Sequence, residues 1–302
     1  MVYTKNYLLL KRQKLLLALL EAFGRSLSNL DLQKYLFLYT TRHQDVKSYE
    51  FIPYKYGCFS FQTYADRRRL IELGLIEDCE RWVLTDHHNP IKALDKIEQK
   101  NLALFLNRYK GLCGNKLVHY IYKNYPYYAI NSKIAHDIMQ EDELLLIEQA
   151  RPRQEDFCFF TIGYEGKPFE HYLNRLIQNN VRMVCDVRKN PISRKYGFSK
   201  ATLSKGLTSL NIQYIHIPEL GIFSEDRQDL NTQEEYDCLF DTYEHSIILK
   251  QQPALDQLKV MVDRYKRVAI TCFEADHLRC HRNRVAKVLA NRSDWNYTIK
   301  HI

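Results

Sequence analysis

The sequence predicts two domains: a mainly helical, winged-helix-like domain over residues 1–152 and a Rossmann-like α/β domain with a mostly parallel sheet over residues 153–302. Three observations support this division. Apolar residues recur at helical spacing through most of the first half. From residue 156 onward, short apolar runs alternate with helical stretches, the pattern of a parallel sheet covered by helices. A charged, proline-containing segment near residue 152 separates the two patterns.

The first half shows two helices, an aromatic loop, a third helix and a short strand. The predicted helices cover residues 6–23, 26–42 and 61–77, the loop covers 49–60 and the strand covers 81–85. Gly24 and Gly74 end the first and third helices, and Ser28 or Asn29 caps the second. Amphipathic helical segments fill residues 90–150. The order of the first five elements resembles that of winged helix-turn-helix modules, in which the third helix enters the major groove of DNA.

The third predicted helix carries the candidate nucleic-acid contacts. These are Gln62, Thr63, Arg67, Arg68 and Arg69. Residues 1–153 hold 23 Lys and Arg against 17 Asp and Glu, so most of the net charge of +8 lies in this half, as a polyanion partner would favour. The alternative is a solvated helix face, because three consecutive side chains point about 100° apart and cannot all reach one groove. We expect DNA to be the partner.

The composition argues against a membrane protein. The sequence has no stretch of eighteen apolar residues, so no membrane-spanning helix is expected. The apolar run LLLALL near the N-terminus is flanked by charged residues and predicts an amphipathic helix rather than a signal peptide. The eight cysteines form no CxxC pair, so we expect reduced thiols in a cytoplasmic protein.

Polar side chains cluster where the strands of the second half are predicted to end. Tyr164 follows the first strand; Asp186, Arg188, Ser193 and Arg194 follow the second; Glu219 follows the third; Cys272 and Glu274 follow the fourth; and Cys280, His281 and Arg282 begin the next helix. Because the carboxyl ends of parallel strands meet at one edge of a sheet, these residues are expected to converge.

The same segments resemble a known family. The runs TIGYEG, DVRKNPISR, YGFSKATLSKGLTSLNIQYIHIPELG and CFEADHLRCHR, in that order, are similar to the domain of unknown function 488 family over about residues 156–302. The resemblance implies a Rossmann-like fold with a site at the edge of the sheet, built from these motifs. It implies no settled activity.

The residue types suggest two kinds of chemistry at this edge. Asp186 and Glu274 form a candidate carboxylate pair for acid and base roles, beside arginines and a helix N-terminus that suit an anion. The alternative is that Asp186–Arg188 and Glu274–Arg282 ion pairs only tie the sheet edge together. Cys272 is a candidate nucleophile, because it lies between a strand and a helix start.

Two further interpretations of Cys272 fit the spacing less well. A phosphatase loop needs an arginine six residues after the cysteine, and here Arg279 comes one position later. A zinc site from Cys272, Cys280, His277 and His281 is conceivable, but the spacing matches no common zinc motif, so no metal and no cofactor are expected.

These observations lead to three functional hypotheses. The leading one is a DNA-directed enzyme that cleaves the N-glycosidic bond of a flipped, modified base, with antiviral defence as its setting. The second is a cysteine-dependent transferase or phosphatase-like enzyme. The third is a non-enzymatic regulator that senses a ligand and binds DNA.

Overall fold

A computed structural model describes residues 8–85, 89–223, 232–246 and 248–302. The chain divides into two compact units, Met1–Arg151 and Pro152–Ile302. Each unit has its own buried core, and each is described separately below.

The N-terminal unit is mainly helical. Its elements are α1 (Lys11–Ala22), β1 (Ser26–Leu27), α2 (Asn29–His43), β2 (Ile52–Tyr54), β3 (Gly57–Phe59), α3 (Phe61–Glu72), β4 (Trp82–Val83), α4 (Lys96–Tyr109), α5 (Gly114–Asn124), α6 (Ala135–Ile138) and α7 (Glu141–Gln149). β1 and β4 pair antiparallel, so the strand predicted at 81–85 has β1 as its partner. The residues of β1 had been assigned from the sequence to the helix predicted over 26–42. The segment predicted as a loop contains the β2–β3 hairpin instead.

Buried polar contacts connect the helices of this unit. Asp66 on α3 accepts hydrogen bonds from Arg12 Nε at 2.7 Å, from Gln13 Nε2 at 3.0 Å and from the Tyr49 hydroxyl at 2.9 Å. At the start of α2, Ser28 Oγ accepts a hydrogen bond from the Asp31 amide, so Ser28 is the N-cap. The arginine-bearing helix α3 is therefore held to α1 by its buried side.

The C-terminal unit is an α/β sheet protein, as predicted. Its elements are β5 (Cys158–Gly163), α8 (Phe169–Gln178), β6 (Met183–Asp186), α9 (Lys200–Thr208), β7 (Gln213–His216), α10 (Gln233–Ser246), α11 (Gln252–Tyr265), β8 (Arg267–Cys272), α12 (His281–Ala290) and β9 (Thr298–His301). The strand order is β7-β6-β8-β5-β9, and every neighbouring pair is parallel.

The three central strands position the polar motifs. Every residue of β5, β6 and β8 is buried, which is why their sequences are almost continuously apolar. Gly163 lies opposite Cys272, and Asp186 lies opposite Thr271, so the strands end at nearly the same level. Their carboxyl ends, together with the start of α12, form one edge of the sheet where a ligand site is expected.

Candidate functional site

A cleft of about 340 Å³ lies at the carboxyl ends of β5, β6 and β8. It is lined by Tyr164, Arg188, Lys189, Asn190, Ile192, Ser193, Arg194, Ile222, Cys272, Phe273, Glu274 and His281. Seven of these twelve were singled out from the sequence. The remaining predicted residues of this edge, Asp186, Glu219, Cys280 and Arg282, do not line the cleft.

Cys272 and His281 form a thiol–imidazole pair at the base of the cleft. The Cys272 Sγ lies 3.7 Å from Nδ1 of His281, and both side chains are almost fully buried. The Nε2 of His281 lies 3.0 Å from the Val187 carbonyl oxygen, which can only accept. Nε2 therefore carries the proton, and in the neutral ring Nδ1 presents its lone pair to the thiol. This is the geometry of a nucleophile, a base and a group that orients the base.

Glu274 is the second polar partner of the thiol. Cys272 Sγ lies 3.2 Å from Oε2 of Glu274, and the Glu274 side chain is partly exposed in the cleft. The thiol proton thus has two acceptors within reach, the carboxylate and the imidazole. A carboxylate this close also opposes formation of the thiolate, because the two negative charges repel.

The loop that carries Glu274 is fixed by backbone contacts. Arg282 is fully buried, and its Nη1 and Nη2 donate to the carbonyl oxygens of Glu274 at 2.6 Å and Ala275 at 3.1 Å. A side chain on Gly163 would place a Cβ 1.7 Å from the Glu274 carbonyl oxygen, so glycine is required by close approach. Arg282 therefore positions this loop, whereas the sequence predicted that it binds an anion. The predicted Glu274–Arg282 contact involves the backbone carbonyl of Glu274.

Asp186 is enclosed by hydrogen bonds. Its carboxylate accepts from Arg188 Nε at 2.8 Å, from Arg188 Nη2 at 2.5 Å and from the Tyr214 hydroxyl at 2.8 Å, and it is fully buried. Burial alone would lower the pKa of Arg188, but the hydrogen bonds and charge of Asp186 raise it above its ordinary value. Burial raises the pKa of Tyr214, and Asp186 raises it further. The candidate catalytic pair of Asp186 with Glu274 is therefore not assembled at the cleft.

The guanidinium of Arg188 is also occupied by hydrogen bonds within the protein. Besides Asp186, its Nη1 donates to the Tyr164 hydroxyl and to the Phe198 carbonyl oxygen, both at 2.8 Å. The Tyr164 ring stacks on Phe198 with centroids 4.1 Å apart, which fixes this side of the cleft. Arg188 and Tyr164 thus form a wall of the cleft, and their polar atoms satisfy one another.

Other groups provide the exposed positive charge of the cleft. Arg194 is exposed and Lys189 is half-buried, and both line the cleft. Ser193 accepts a hydrogen bond from the Lys195 amide at 3.1 Å, which shapes the loop. Of the predicted anion-binding residues on this loop, Ser193 and Arg194 line the cleft, where they could contact a ligand. Glu219 lies outside the cleft.

Cys280 lies behind the cleft as the N-cap residue of α12 and is fully buried. Burial raises the pKa of its thiol well above the ordinary value, and the neighbouring Cys272 and Glu274 act in the same direction. The Sγ atoms of Cys272 and Cys280 and one ring nitrogen of His281 lie within 4.8 Å of one another. His277 stacks on His301 instead, with ring centroids 3.7 Å apart.

Sequence reasoning missed several functional contacts. Val187 orients His281 through a backbone carbonyl, which carries no signal in the sequence. Gly221 lies so close to the backbone of Arg188 and Lys189 that a Cβ would approach the Lys189 nitrogen to 2.3 Å. The PELG run therefore packs against the loop after β6. This run had been named from the sequence as one of the motifs of the site, but this role had not been predicted.

The predicted nucleic-acid residues of α3 differ in exposure. Thr63 is fully buried, where its hydroxyl donates to the Ser60 carbonyl oxygen at 2.7 Å, so it does not lie on the outer face. The Arg67 guanidinium lies 5.1 Å from the centroid of the Trp82 ring and donates to backbone carbonyls of the 79–81 turn. Gln62 is half-buried.

Arg68 and Arg69 are the exposed arginines of this set. Arg69 Nη1 forms an exposed ion pair with Glu72 at 3.0 Å. The face that α3 offers to a partner is therefore narrower than the five predicted residues suggested.

The comparisons with known proteins agree with the resemblance noted from the motifs. Residues 168–289 match the family model described as Domain of unknown function DUF488. The match lies in the C-terminal region, from the residue before α8 almost to the end of α12. No curated protein and no solved structure matches the chain. In the described parts of the chain, no helix combines the length and apolar character needed to span a membrane.

Proposed function

We propose that the C-terminal unit is a cysteine-dependent enzyme in which Cys272 is the nucleophile and His281 is its base. The observation that carries this proposal is the chain of contacts from Cys272 Sγ through His281 to the Val187 carbonyl. In the proposed reaction, the thiol proton moves to Nδ1 of His281 as sulfur bonds to an electrophilic centre of the substrate. The leaving group departs with that proton, and water or a second acceptor then releases the covalent intermediate.

The substrate that suits the cleft is anionic. Arg194 and Lys189 line the cleft and are at least partly exposed, whereas the charge of Arg188 is neutralised by Asp186. A nucleotide or a nucleic-acid phosphate fits this charge, because such groups bind where positive side chains converge. We propose a nucleotide or base as the substrate and DNA as the partner of the N-terminal unit. The charge excess of residues 1–153 and the exposed Arg68 and Arg69 support the partner.

Cleavage of a glycosidic bond by a carboxylate is a second candidate function, and one observation supports it. Glu274 lines the cleft and is partly exposed, so it could activate a water there. It would act without Asp186, whose oxygens are occupied by Arg188 and Tyr214.

The state of the thiols supports a cytoplasmic setting. All eight cysteines of the chain lie in its described parts and none is in a disulfide, which suits a reducing, cytoplasmic environment. Defence against foreign DNA is the role we propose for a nucleotide-directed enzyme of this kind.

A product assay separates the candidates. The full-length protein would be incubated with unmodified DNA and with phage DNA that carries modified bases. Released bases and nucleotides would be measured by mass spectrometry and strand breaks by alkaline gels. Loss of product in Cys272→Ser but not in Glu274→Gln is the expected result. The reverse pattern would establish the carboxylate mechanism. A gel shift without any product would favour a ligand-sensing regulator and contradict both enzymatic proposals.

A further inference from the structure

The thiol cluster contains more potential metal ligands than a thiol–imidazole pair needs. Cys280 is buried beside Cys272 and His281, yet it does not line the cleft and is not required by the proposed reaction. Two sulfurs and one imidazole nitrogen thus meet where a β-strand ends and the next helix begins. This donor set is soft, and it matches the ligands of thiophilic divalent ions.

The distances suit a tetrahedral ion. Zinc bonds of about 2.3 Å to sulfur and about 2.0–2.1 Å to nitrogen place tetrahedral ligand atoms roughly 3.5–3.8 Å apart. The separation of Cys272 Sγ and His281 Nδ1 is 3.7 Å, and all three donor atoms lie within 4.8 Å. A contraction of less than about 1.5 Å, set by these bond lengths, would complete the geometry.

The surroundings also fit a metal ligand. His281 presents Nδ1 to the sulfurs because its Nε2 donates to the Val187 carbonyl. Metal-bound histidines almost always have such a partner on the second nitrogen, which fixes the ring and its tautomer. Cys272 and His281 face the cleft while Cys280 lies behind them, so the fourth position of a tetrahedron would open toward the cleft.

We propose that Cys272, Cys280 and His281 bind a Zn²⁺ ion, and that the ion switches off the thiol chemistry at this site. Zinc would occupy both the Cys272 sulfur and the Nδ1 lone pair, which are the nucleophile and the base of the proposed reaction. The metal would therefore compete with catalysis. This inference rests on the proposed function for its regulatory part, whereas the metal site itself rests on the cluster alone.

Metal binding can be measured without knowing the substrate. Full-length protein, kept reduced by a phosphine, would be titrated with Zn²⁺ against a chromophoric chelator. We expect one Zn²⁺ per chain, and more than ~100-fold weaker binding in Cys280→Ser, since loss of an outer partner alone typically costs 10–100-fold. Cys238→Ser, which removes an exposed cysteine of the same unit, is the matched control and should bind zinc as the unaltered protein does.

Two further readouts keep the test decisive. Co²⁺ added to the unaltered protein should give the charge-transfer absorption of thiolate ligands, which needs no variant to fold. Zn²⁺ should protect Cys272 from iodoacetamide, and this protection should be lost in Cys280→Ser. A missing thiolate–cobalt signal, or equal zinc binding in Cys280→Ser, would overturn the metal site. If zinc does not bind but alkylation of Cys272 still depends on His281, the metal inference fails and the proposed function stands.

Discussion

Replacing Asp186 with asparagine tests whether this carboxylate supports the site or reacts in it. The side chain is fully buried and makes a bidentate contact with Arg188, whose own guanidinium is also buried. The amide of the Asp186→Asn variant would be neutral and would leave the arginine charge without its counterion. Removing one partner of a buried ion pair typically costs about 3–5 kcal/mol. We therefore expect the local stability of the sheet to fall by this amount.

Hydrogen exchange measured by mass spectrometry reports this loss separately for each unit of the chain. Because 1.4 kcal/mol corresponds to a tenfold change in an equilibrium constant, peptides from β6 should exchange roughly 10²- to 4 × 10³-fold faster. The matched control is Asp256→Asn on α11, where an exposed carboxylate pairs at 2.7 Å with Arg292, whose side chain is also partly exposed. Exposed pairs contribute about 0–1 kcal/mol, so exchange should rise less than about fivefold.

One outcome would refute this reasoning. If Asp186→Asn left the exchange of β6 unchanged and abolished product formation, Asp186 would be a reacting group. The carboxylate pair expected from the sequence would then have to form in a conformation different from the one described.

Three other variants test separate parts of the account. Gly163→Ala should displace the Glu274 carbonyl, because the new Cβ would lie 1.7 Å from it, and should lower product formation at least ~10-fold while N-terminal exchange stays unchanged. Arg68→Ala with Arg69→Ala should weaken DNA binding and reduce the salt slope by about 1–2 in a fluorescence titration; an unchanged slope would exclude this face of α3. The pKa of Glu143 on α7 is lowered to about 2, mainly by the hydrogen bond from Lys123. This carboxylate therefore contributes stability above pH 4.5 that is lost as the pH falls toward 2. The Tm difference between the unaltered protein and Glu143→Gln should therefore shrink from pH 7 to pH 3, and a constant difference would contradict the pKa shift.

The fold of the second half was readable because its strands are fully buried. Continuous apolar runs such as those of β5 and β8 alternate with amphipathic helices, and this pattern specifies a parallel sheet. The hairpin β2–β3 was not predicted, since two strands of three residues give too short a pattern. The strand β1 was missed for the same reason.

The residues of the cleft were predictable as a set, but their roles were not. Strand ends place Tyr164, Cys272 and Glu274 at one edge by topology alone. Whether a charged side chain faces the ligand or the protein depends on partners distant in sequence. Asp186 is enclosed partly by Tyr214, which comes from the neighbouring strand β7, and Arg282 turns toward the backbone of the Glu274 loop.

The central claim, that Cys272 is a nucleophile activated by His281, is tested most directly by alkylation kinetics. The full-length protein, with a chelator present, would be treated with iodoacetamide, and each cysteine peptide would be followed by mass spectrometry. Cys185 is the internal control, because it is buried in β6 and burial raises its pKa.

We expect Cys272 to react faster than exposed Cys238, to slow at least ~10-fold in His281→Gln, and to accelerate in Glu274→Gln as the repelling charge is removed. If Cys272 is as inert as Cys185, or if its rate does not depend on His281, the proposed mechanism is contradicted.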